Sequence, residues 1–197
     1  MNRKVRDRKI EAVRMRKPDT VVDTIIIHAM SEYIVNEGET MFCVDFLNEI
    51  QYGAHYFILP DGTIFEGVIP LNRTPHVGRS EYYNRKWLNE TSIGIEFLVD
   101  GINDYSTFIQ RINSRQTKKH RPPFTDDQYK AGAQLILDLQ DQFGSILGRI
   151  VGHSEVSGDD VRGEGRGKRD PGKNFNWVEL RSYLKKLTDT RYDGVER

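Results

Sequence analysis

The 197-residue sequence has a single cysteine, no long hydrophobic run and no excess of charge of either sign. Because Cys43 has no partner in the chain, an internal disulfide is excluded, and the thiol is expected to be a small core residue. No apolar segment reaches the roughly 20 residues of a membrane helix, and no signal-peptide core follows the N-terminus. We therefore expect synthesis in the cytoplasm without a signal peptide. Lys+Arg and Asp+Glu both total 29, so nucleic acid is not an expected partner.

The one strong bias of charge lies at the N-terminus, where residues 1–18 carry eight basic side chains and two acidic ones. We interpret residues 1–19 as a solvated basic arm that leads into an edge strand, "KIEAVRM". The alternative is an arm that approaches an anionic surface such as a cell envelope. No linker or repeat divides residues 20–187, which are expected to form one domain, and residues 188–197 are expected to be a tail.

Apolar runs and helical patterns are interspersed along the chain. Four segments predict β-structure, the third of them as a hairpin: "TVVDTIIIHAM", "TSIGIEFLV", "GAHYFILPDGTIFEGVI" and "GRIVGH". Three segments predict helices, the second of them with a capping box at Thr125 and Gln128: "ETMFCVDFLNEI", "FTDDQYKAGAQLILDLQDQF" and "FNWVELRSYLKKL". The polar stretch 100–123 predicts a long surface loop. The predicted fold is a single α/β domain with a central mixed sheet flanked by helices.

Two histidines and one aspartate form a candidate metal site. His28 and His153 each end a predicted buried strand, which is where open α/β sheets place their ligand sites. Asp170 follows in the glycine-rich stretch "GRGKRDPGKNFNW", where, taken alone, it is typical of a turn. Two imidazoles and one carboxylate, with a fourth position open, suit a catalytic zinc ion.

Glu96 is a candidate acid–base residue because it interrupts the apolar strand "SIGIEFLV". Alternation places Ile93, Ile95 and Phe97 on one face of this strand and Gly94 with Glu96 on the other. A buried carboxylate is costly unless it is paired or functional, and near a metal it can take a proton from an attacking water. The alternative is a surface glutamate on an edge strand.

Six motifs, in this order, resemble those of zinc-dependent N-acetylmuramoyl-L-alanine amidases: "TIIIHAM", "GAHYFILPDGTIFEGV", "TPHVGRS", "NETSIGIEF", "VGHSEV" and "KRDPGKNFNW". This family includes phage lysozymes of the amidase type, cytoplasmic muropeptide-recycling amidases and peptidoglycan recognition proteins. The resemblance covers residues 20–187. It implies that His28, His153 and Asp170 hold Zn²⁺, that Glu96 is the catalytic glutamate and that Lys168 stabilises the developing oxyanion.

The resemblance also implies roles for residues around this set. It implies that His76 and Asn89 bind substrate, and His55 is expected to support the site from a second layer. Ala54 stands where phage lysozymes carry an active-site tyrosine, a departure that fits a catalytic Glu96. The loop 154–169 is longer than is usual in the family, which leaves three acidic residues as competing ligands: Asp159, Asp160 and Glu164. His120 has no counterpart and is expected to be solvated.

The function implied is hydrolysis of the amide between N-acetylmuramic acid and L-alanine in peptidoglycan. The basic arm and the stretch "VDGINDYSTF", which resembles phage members, favour a lytic enzyme that acts on the cell wall after release. One alternative is a cytoplasmic amidase that recycles soluble anhydro-muropeptides. A second alternative is a non-catalytic peptidoglycan-binding module. No obligate protein partner is predicted.

Overall fold

A computed structural model describes residues 9–114, 122–144 and 148–193. Predictions that concern residues 1–8, His120 and residues 194–197 lie outside the described residues. The strands run as follows: β1 Arg14–Met15, β2 Thr24–Asn36, β3 Glu39–Phe42, β4 Tyr56–Ile58, β5 Ile64–Glu66, β6 Asn72–Arg73, β7 Glu81–Tyr82, β8 Arg85–Lys86, β9 Ser92–Asn103 and β10 Ile150–Gly152. The helices are α1 Cys43–Glu49, α2 Tyr105–Asn113, α3 Asp126–Phe143, α4 His153–Val156, α5 Asp159–Arg162 and α6 Trp177–Asp193, with a 3₁₀ turn at Leu88–Glu90.

The described residues form a six-stranded sheet in the order β10-β2-β9-β4-β5, with β3 paired to the far end of β2. Strands β10, β2, β9 and β4 run parallel to one another, whereas β5 is antiparallel to β4 and β3 is antiparallel to β2. The sheet is therefore mixed, and the predicted fold class is confirmed. The helix prediction at Thr125 is also confirmed, because its hydroxyl and the Gln128 side chain form a complete capping box.

Alternation along β2 and β9 divides their side chains between two cores. Ile25, Ile27, Ile93 and Ile95 pack with α2, α3 and α6 on one face, in a cluster that also contains Phe97. The opposite face carries smaller apolar clusters against α1 and the loops, and the buried Cys43 belongs to one of these. Both central strands are thus buried on two sides, as their continuous apolar runs predict. The polar side chains of the site described below lie on this second face.

The prediction of a surface loop over residues 100–123 is wrong for residues 100–113, most of which lie in a strand and a helix. Strand β9 continues to Asn103, and Asp104 then caps α2 by accepting a hydrogen bond from the Thr107 backbone N–H at 2.7 Å. Phe108 and Ile112, four residues apart, are buried against the main core. This cap and spacing are helix signals present in the sequence, and the high polarity of the stretch obscured them.

Two smaller predictions also need correction. Residues 39–42 of the predicted helix "ETMFCVDFLNEI" form β3, and α1 begins only at Cys43. The predicted edge strand "KIEAVRM" contributes only β1, which pairs with β6 in a separate two-stranded ribbon and not with the central sheet.

One residue of the predicted basic arm, Arg16, is not solvated. Its guanidinium donates hydrogen bonds to the carbonyls of Pro70 at 3.0 Å, Asn89 at 3.1 Å and Ser92 at 2.8 Å, and also to that of Glu90. A planar group with five donors can satisfy several main-chain acceptors at once. Arg16 therefore fastens this part of the chain to the segment that leads into β9. The assignment of residues 1–19 and 188–197 as an arm and a tail stays a prediction.

Candidate metal and catalytic site

Sheet register brings the first site residues together. His28 of β2 and Glu96 of β9 are Cα partners in adjacent parallel strands, so both side chains project from the same face. Strand β10 lies on the other side of β2, with Gly152 opposite Ile27, and His153 follows directly at the start of α4. The expectation that His28 ends its strand is wrong, because β2 continues to Asn36; His153 does follow the end of β10.

The proposed ligand atoms form a small triangle. His28 Nδ1 lies 3.0 Å from His153 Nδ1 and 3.4 Å from Asp170 Oδ2, and His153 Nδ1 lies 3.0 Å from the same oxygen. Tetrahedral zinc with bonds of about 2.0–2.1 Å separates its ligand atoms by about 3.3–3.4 Å. The two nitrogens and one oxygen are also the donor set that suits a catalytic zinc ion. The residues therefore fit a bound metal of this kind.

Burial controls the charge of this triangle. Burial, followed by the charge of His153, lowers the pKa of His28 to about 4, so its ring is neutral at pH 7. Burial raises the pKa of Asp170, but the adjacent imidazoles outweigh it and hold the net pKa well below the usual value. A neutral imidazole and an ionised carboxylate are the protonation states that bind metal.

Glu96 lies at the centre of the sheet and is only 8% exposed, so the surface alternative is wrong. Burial and the negative charge of Asp170 raise the pKa of Glu96 well above its usual value, while the charge of Lys168 lowers it. Among the described residues, its Oε2 has no hydrogen-bond partner. A buried carboxyl oxygen without a partner is costly to the fold, which marks it as a candidate for acid–base work.

These residues line a cleft of about 490 Å³, which Lys168 and His76 also line. The rest of the lining is largely apolar and includes Ile34, Val35, Phe46, Leu47, Ile50, Tyr52, Tyr105, Phe108 and Ile109. Helix α2, absent from the sequence prediction, thus contributes to the lining. A cleft of this size, apolar apart from a few polar groups, is typical of a site for a small molecule.

The long loop 154–169 is folded by its own contacts. The backbone N–H of Lys168 donates to Ser157 O at 2.9 Å, and Arg162 donates to the Ser157 hydroxyl at 2.6 Å. Asp159 accepts hydrogen bonds from Arg169 at 2.8 Å and from the Gly167 backbone at 2.7 Å. In the described part of the chain, the metal-binding group is the triangle of His28, His153 and Asp170, and it includes none of the three acidic competitors of this loop.

His76 contacts His28 of the triangle, and Asn89 in turn contacts the backbone of His76 and Val77. His76 is 5% exposed, and its Nδ1 lies 3.0 Å from His28 Nε2. The Asn89 Oδ1 accepts hydrogen bonds from the backbone N–H groups of His76 at 3.0 Å and Val77 at 2.9 Å, and Asn89 does not line the cleft. Direct substrate binding by either residue stays a prediction. The contacts observed are those of groups that position other residues.

His55 lies one layer further back, without contact to the triangle. Its Nδ1 accepts a hydrogen bond from the Gly94 N–H at 3.0 Å, and its ring centroid is 5.3 Å from that of His76. The supporting role of His55 stays a prediction. Burial, followed by the charge of Arg16, lowers the pKa of His55 to about 3.

We expect the metal-free protein to lose stability in mild acid because of His55. Its pKa rises from about 3 in the folded state to about 6.5 in the unfolded chain, which therefore binds the proton first as the pH falls. The stabilising contribution is complete above pH 6.5 and declines steadily below it. Between pH 7 and 5, this residue alone lowers the free energy of unfolding by about 2 kcal/mol.

Urea unfolding of metal-free protein at several pH values measures this loss, and His55→Asn isolates the contribution of the residue. The variant is expected to show a shallower decline with falling pH than the parent chain. Equal slopes for the two proteins would contradict the assignment.

Comparison with known proteins identifies the family. A model of the N-acetylmuramoyl-L-alanine amidase family matches residues 18–173. The chain belongs to this family. The amidase family predicted from the ordered motifs is therefore confirmed.

Two curated members of the amidase family are similar to the chain. The 1,6-anhydro-N-acetylmuramyl-L-alanine amidase AmpD of Escherichia coli (strain K12) is 29% identical over 139 residues, which cover 71% of this chain and 62% of the relative. AmpD of Haemophilus influenzae is 29% identical over 138 residues, covering 70% and 61%. The matches thus span less than two thirds of these relatives.

Solved structures share the amidase fold. A selenomethionine AmpD structure superposes with a TM-score of 0.64 and 22% identity, covering 89% of this chain and 92% of that chain.

No helix within the described ranges is long and apolar enough to cross a membrane.

Proposed function

We propose that this chain is a zinc-dependent N-acetylmuramoyl-L-alanine amidase that hydrolyses the amide between the lactyl group of N-acetylmuramic acid and L-alanine. The observation that carries the proposal is the triangle of His28, His153 and Asp170 beside the buried carboxyl of Glu96. A binding module that had lost catalysis has no need of the complete set. The completeness of the set therefore supports an enzyme over the non-catalytic alternative.

His28 Nδ1, His153 Nδ1 and Asp170 Oδ2 would hold the zinc ion, which when bound would supply a Lewis acid that lowers the pKa of water to about 7 and polarises the scissile carbonyl. Glu96 takes a proton from the attacking water as the new C–O bond forms. The same carboxyl then donates that proton to the alanine nitrogen as the C–N bond breaks. The products are a free lactyl carboxylate and the amine of the stem peptide.

Lys168 is assigned to the oxyanion. Its positive charge acts on Glu96 and His28, since it lowers the pKa of both, and it lines the same cleft. An ammonium group that lines the cleft can stabilise the negative charge that develops on the carbonyl oxygen. It also favours the ionised form of Glu96, which is the form that accepts a proton.

Within this reaction, we infer that the substrate is a soluble anhydro-muropeptide and not the intact wall. The relatives at 29% identity are named as 1,6-anhydro-N-acetylmuramyl-L-alanine amidases, which supports the recycling alternative over the lytic one. The two features that favoured a lytic enzyme are also weaker. "VDGINDYSTF" is the end of β9 and the start of α2, not a strand followed by a loop. Arg16 of the basic arm is occupied by main-chain carbonyls.

Turnover on two substrates tests both levels of the proposal. Zinc-loaded protein is incubated with a soluble anhydro-muropeptide and, separately, with purified sacculi, and released stem peptide is measured by chromatography. We expect release from the soluble substrate at a rate at least about tenfold above that from sacculi. His28→Ala is the matched inactive control.

Faster release from sacculi would restore the lytic alternative while leaving the amidase intact. If neither substrate yielded stem peptide above the His28→Ala background, the amidase assignment itself would be overturned.

A further inference from the structure

The Ser92 hydroxyl lies between the Leu88 carbonyl oxygen and the His76 ring, and these two contacts decide the direction of its hydrogen bonds. Ser92 is fully buried at the first position of β9, and its Oγ lies 2.6 Å from the Leu88 carbonyl oxygen. A carbonyl can only accept, so the Ser92 hydroxyl donates its proton there. The oxygen of Ser92 can then only accept from its second neighbour, the Nε2 of His76 at 3.0 Å.

This direction propagates through two imidazole rings. Because His76 Nε2 donates to Ser92, the Nδ1 of a neutral His76 ring carries no proton and accepts. The donor is His28 Nε2, which lies 3.0 Å away. A neutral His28 with its proton on Nε2 has its free lone pair on Nδ1, the atom that belongs to the triangle with His153 and Asp170.

The His76 ring is buried and closely held, with only 5% of the residue exposed. A Cβ on Gly94 would lie 2.5 Å from His76 Nδ1, so a glycine is required for this ring to lie against β9. The Asn89 amide oxygen holds the backbone N–H of His76 in place from the other side at 3.0 Å.

His153 is oriented from the same two-residue segment. Its Nε2 lies 3.2 Å from the Val77 carbonyl oxygen, which can only accept, so that nitrogen donates. Its Nδ1 lies 3.0 Å from Asp170 Oδ2, also an acceptor, so the Nδ1 lone pair is available only when a bound metal takes the place of that contact. The Val77 backbone N–H, like that of His76, is held by Asn89, at 2.9 Å. The side chain of His76 thus orients His28, and the main-chain carbonyl of the next residue, Val77, orients His153.

We propose that the segment His76–Val77, held by Asn89 and terminated by Ser92, sets the Nε2–H tautomer of both His28 and His153 and so presents their Nδ1 lone pairs to zinc. Ser92, His76 and Asn89 are on this account positioning residues for the metal. The inference rests on the zinc site of the proposed function. It replaces a direct substrate role for Asn89 with one that acts through other residues.

The test pairs two hydroxyl deletions at neighbouring positions. Ser92→Ala removes the acceptor for His76, whereas Thr91→Val removes a buried hydroxyl that has no partner among the described residues. Zinc affinity is measured by competition with a chromophoric chelator. We expect Ser92→Ala to bind zinc at least about 10-fold more weakly, the range that loss of an outer-shell partner costs, and Thr91→Val to match the parent within twofold.

The second readout is independent of zinc affinity and of activity. Long-range ¹⁵N–¹H spectra of zinc-loaded parent protein report which ring nitrogen carries each proton. We expect Nε2–H for His28 and His153, and also for His76, which is not a ligand and whose tautomer therefore tests the Ser92 contact directly. A proton on Nδ1 of any of the three rings would overturn the proposal, even if Ser92→Ala failed to fold, and so would parental zinc affinity in folded Ser92→Ala.

Zinc binding and stem-peptide release by the parent protein distinguish failure of the proposed function from failure of the positioning role. Parent chain that binds zinc without releasing stem peptide refutes the amidase and leaves the positioning role standing. Parent chain that binds no zinc refutes both.

Discussion

Glu96→Gln is expected to lower kcat on a soluble muropeptide by at least about 10³-fold while zinc binding is retained, within the range that general acid–base catalysis supplies. The amide has the shape of the carboxylate but cannot take a proton from water or pass one to the leaving nitrogen. Because Glu96 Oε2 has no partner among the described residues, the substitution breaks no hydrogen bond that this atom makes. We therefore expect the variant to fold and to keep its metal.

Stem-peptide release at saturating substrate, with zinc content measured on the same sample, checks this result. Glu32→Gln is the matched control, since this glutamate lies on β2 but does not line the cleft. The control is expected to keep the parental rate. Activity of Glu96→Gln within tenfold of the parent would mean that another group is the base.

Asp170→Ala is expected to abolish stable zinc binding and, with it, activity. The substitution removes the one anionic ligand and leaves two neutral imidazoles, His28 and His153, to hold a dication. Loss of an outer-shell partner alone costs about 10–100-fold in metal affinity, so we expect loss of this ligand to exceed 100-fold. Lys168→Ala is the contrasting variant, expected to keep zinc and to lower the rate by about 10²-fold because it removes only charge that faces the oxyanion.

Metal analysis after dialysis, together with chelator competition, separates these two variants. Asp170→Ala should emerge without zinc and Lys168→Ala with one equivalent. Retention of parental zinc affinity by Asp170→Ala would return Asp170 to the turn role that its sequence context suggests by itself. The same outcome would require another residue as the third ligand.

Local sequence signals determined most of the elements. The β-branched runs of β2 and β9, the turn at Pro60–Gly62 and the capping box at Thr125 each act over a few residues, so their outcome can be predicted without knowledge of the fold. Helix α2 was not predicted from the sequence because polar residues surround the Asp104 cap and the short apolar stripe of the helix. Strand β3 was not predicted because residues 39–42 share a helical spacing with α1, and their pairing with β2 overrides that local preference.

The sequence by itself determined the chemistry of the site: two histidines, one aspartate and a glutamate on the inner face of an apolar strand. Tertiary structure alone decided how they meet. Register between β10, β2 and β9 brings His153 and Glu96 to opposite sides of His28, and strand pairing joins residues far apart in the chain. The roles of Ser92 and Asn89 also depend on partners in other segments, and one of these, the Val77 carbonyl, is main chain. A main-chain carbonyl is present at every position, so no pattern of residue types distinguishes the one that orients a ligand.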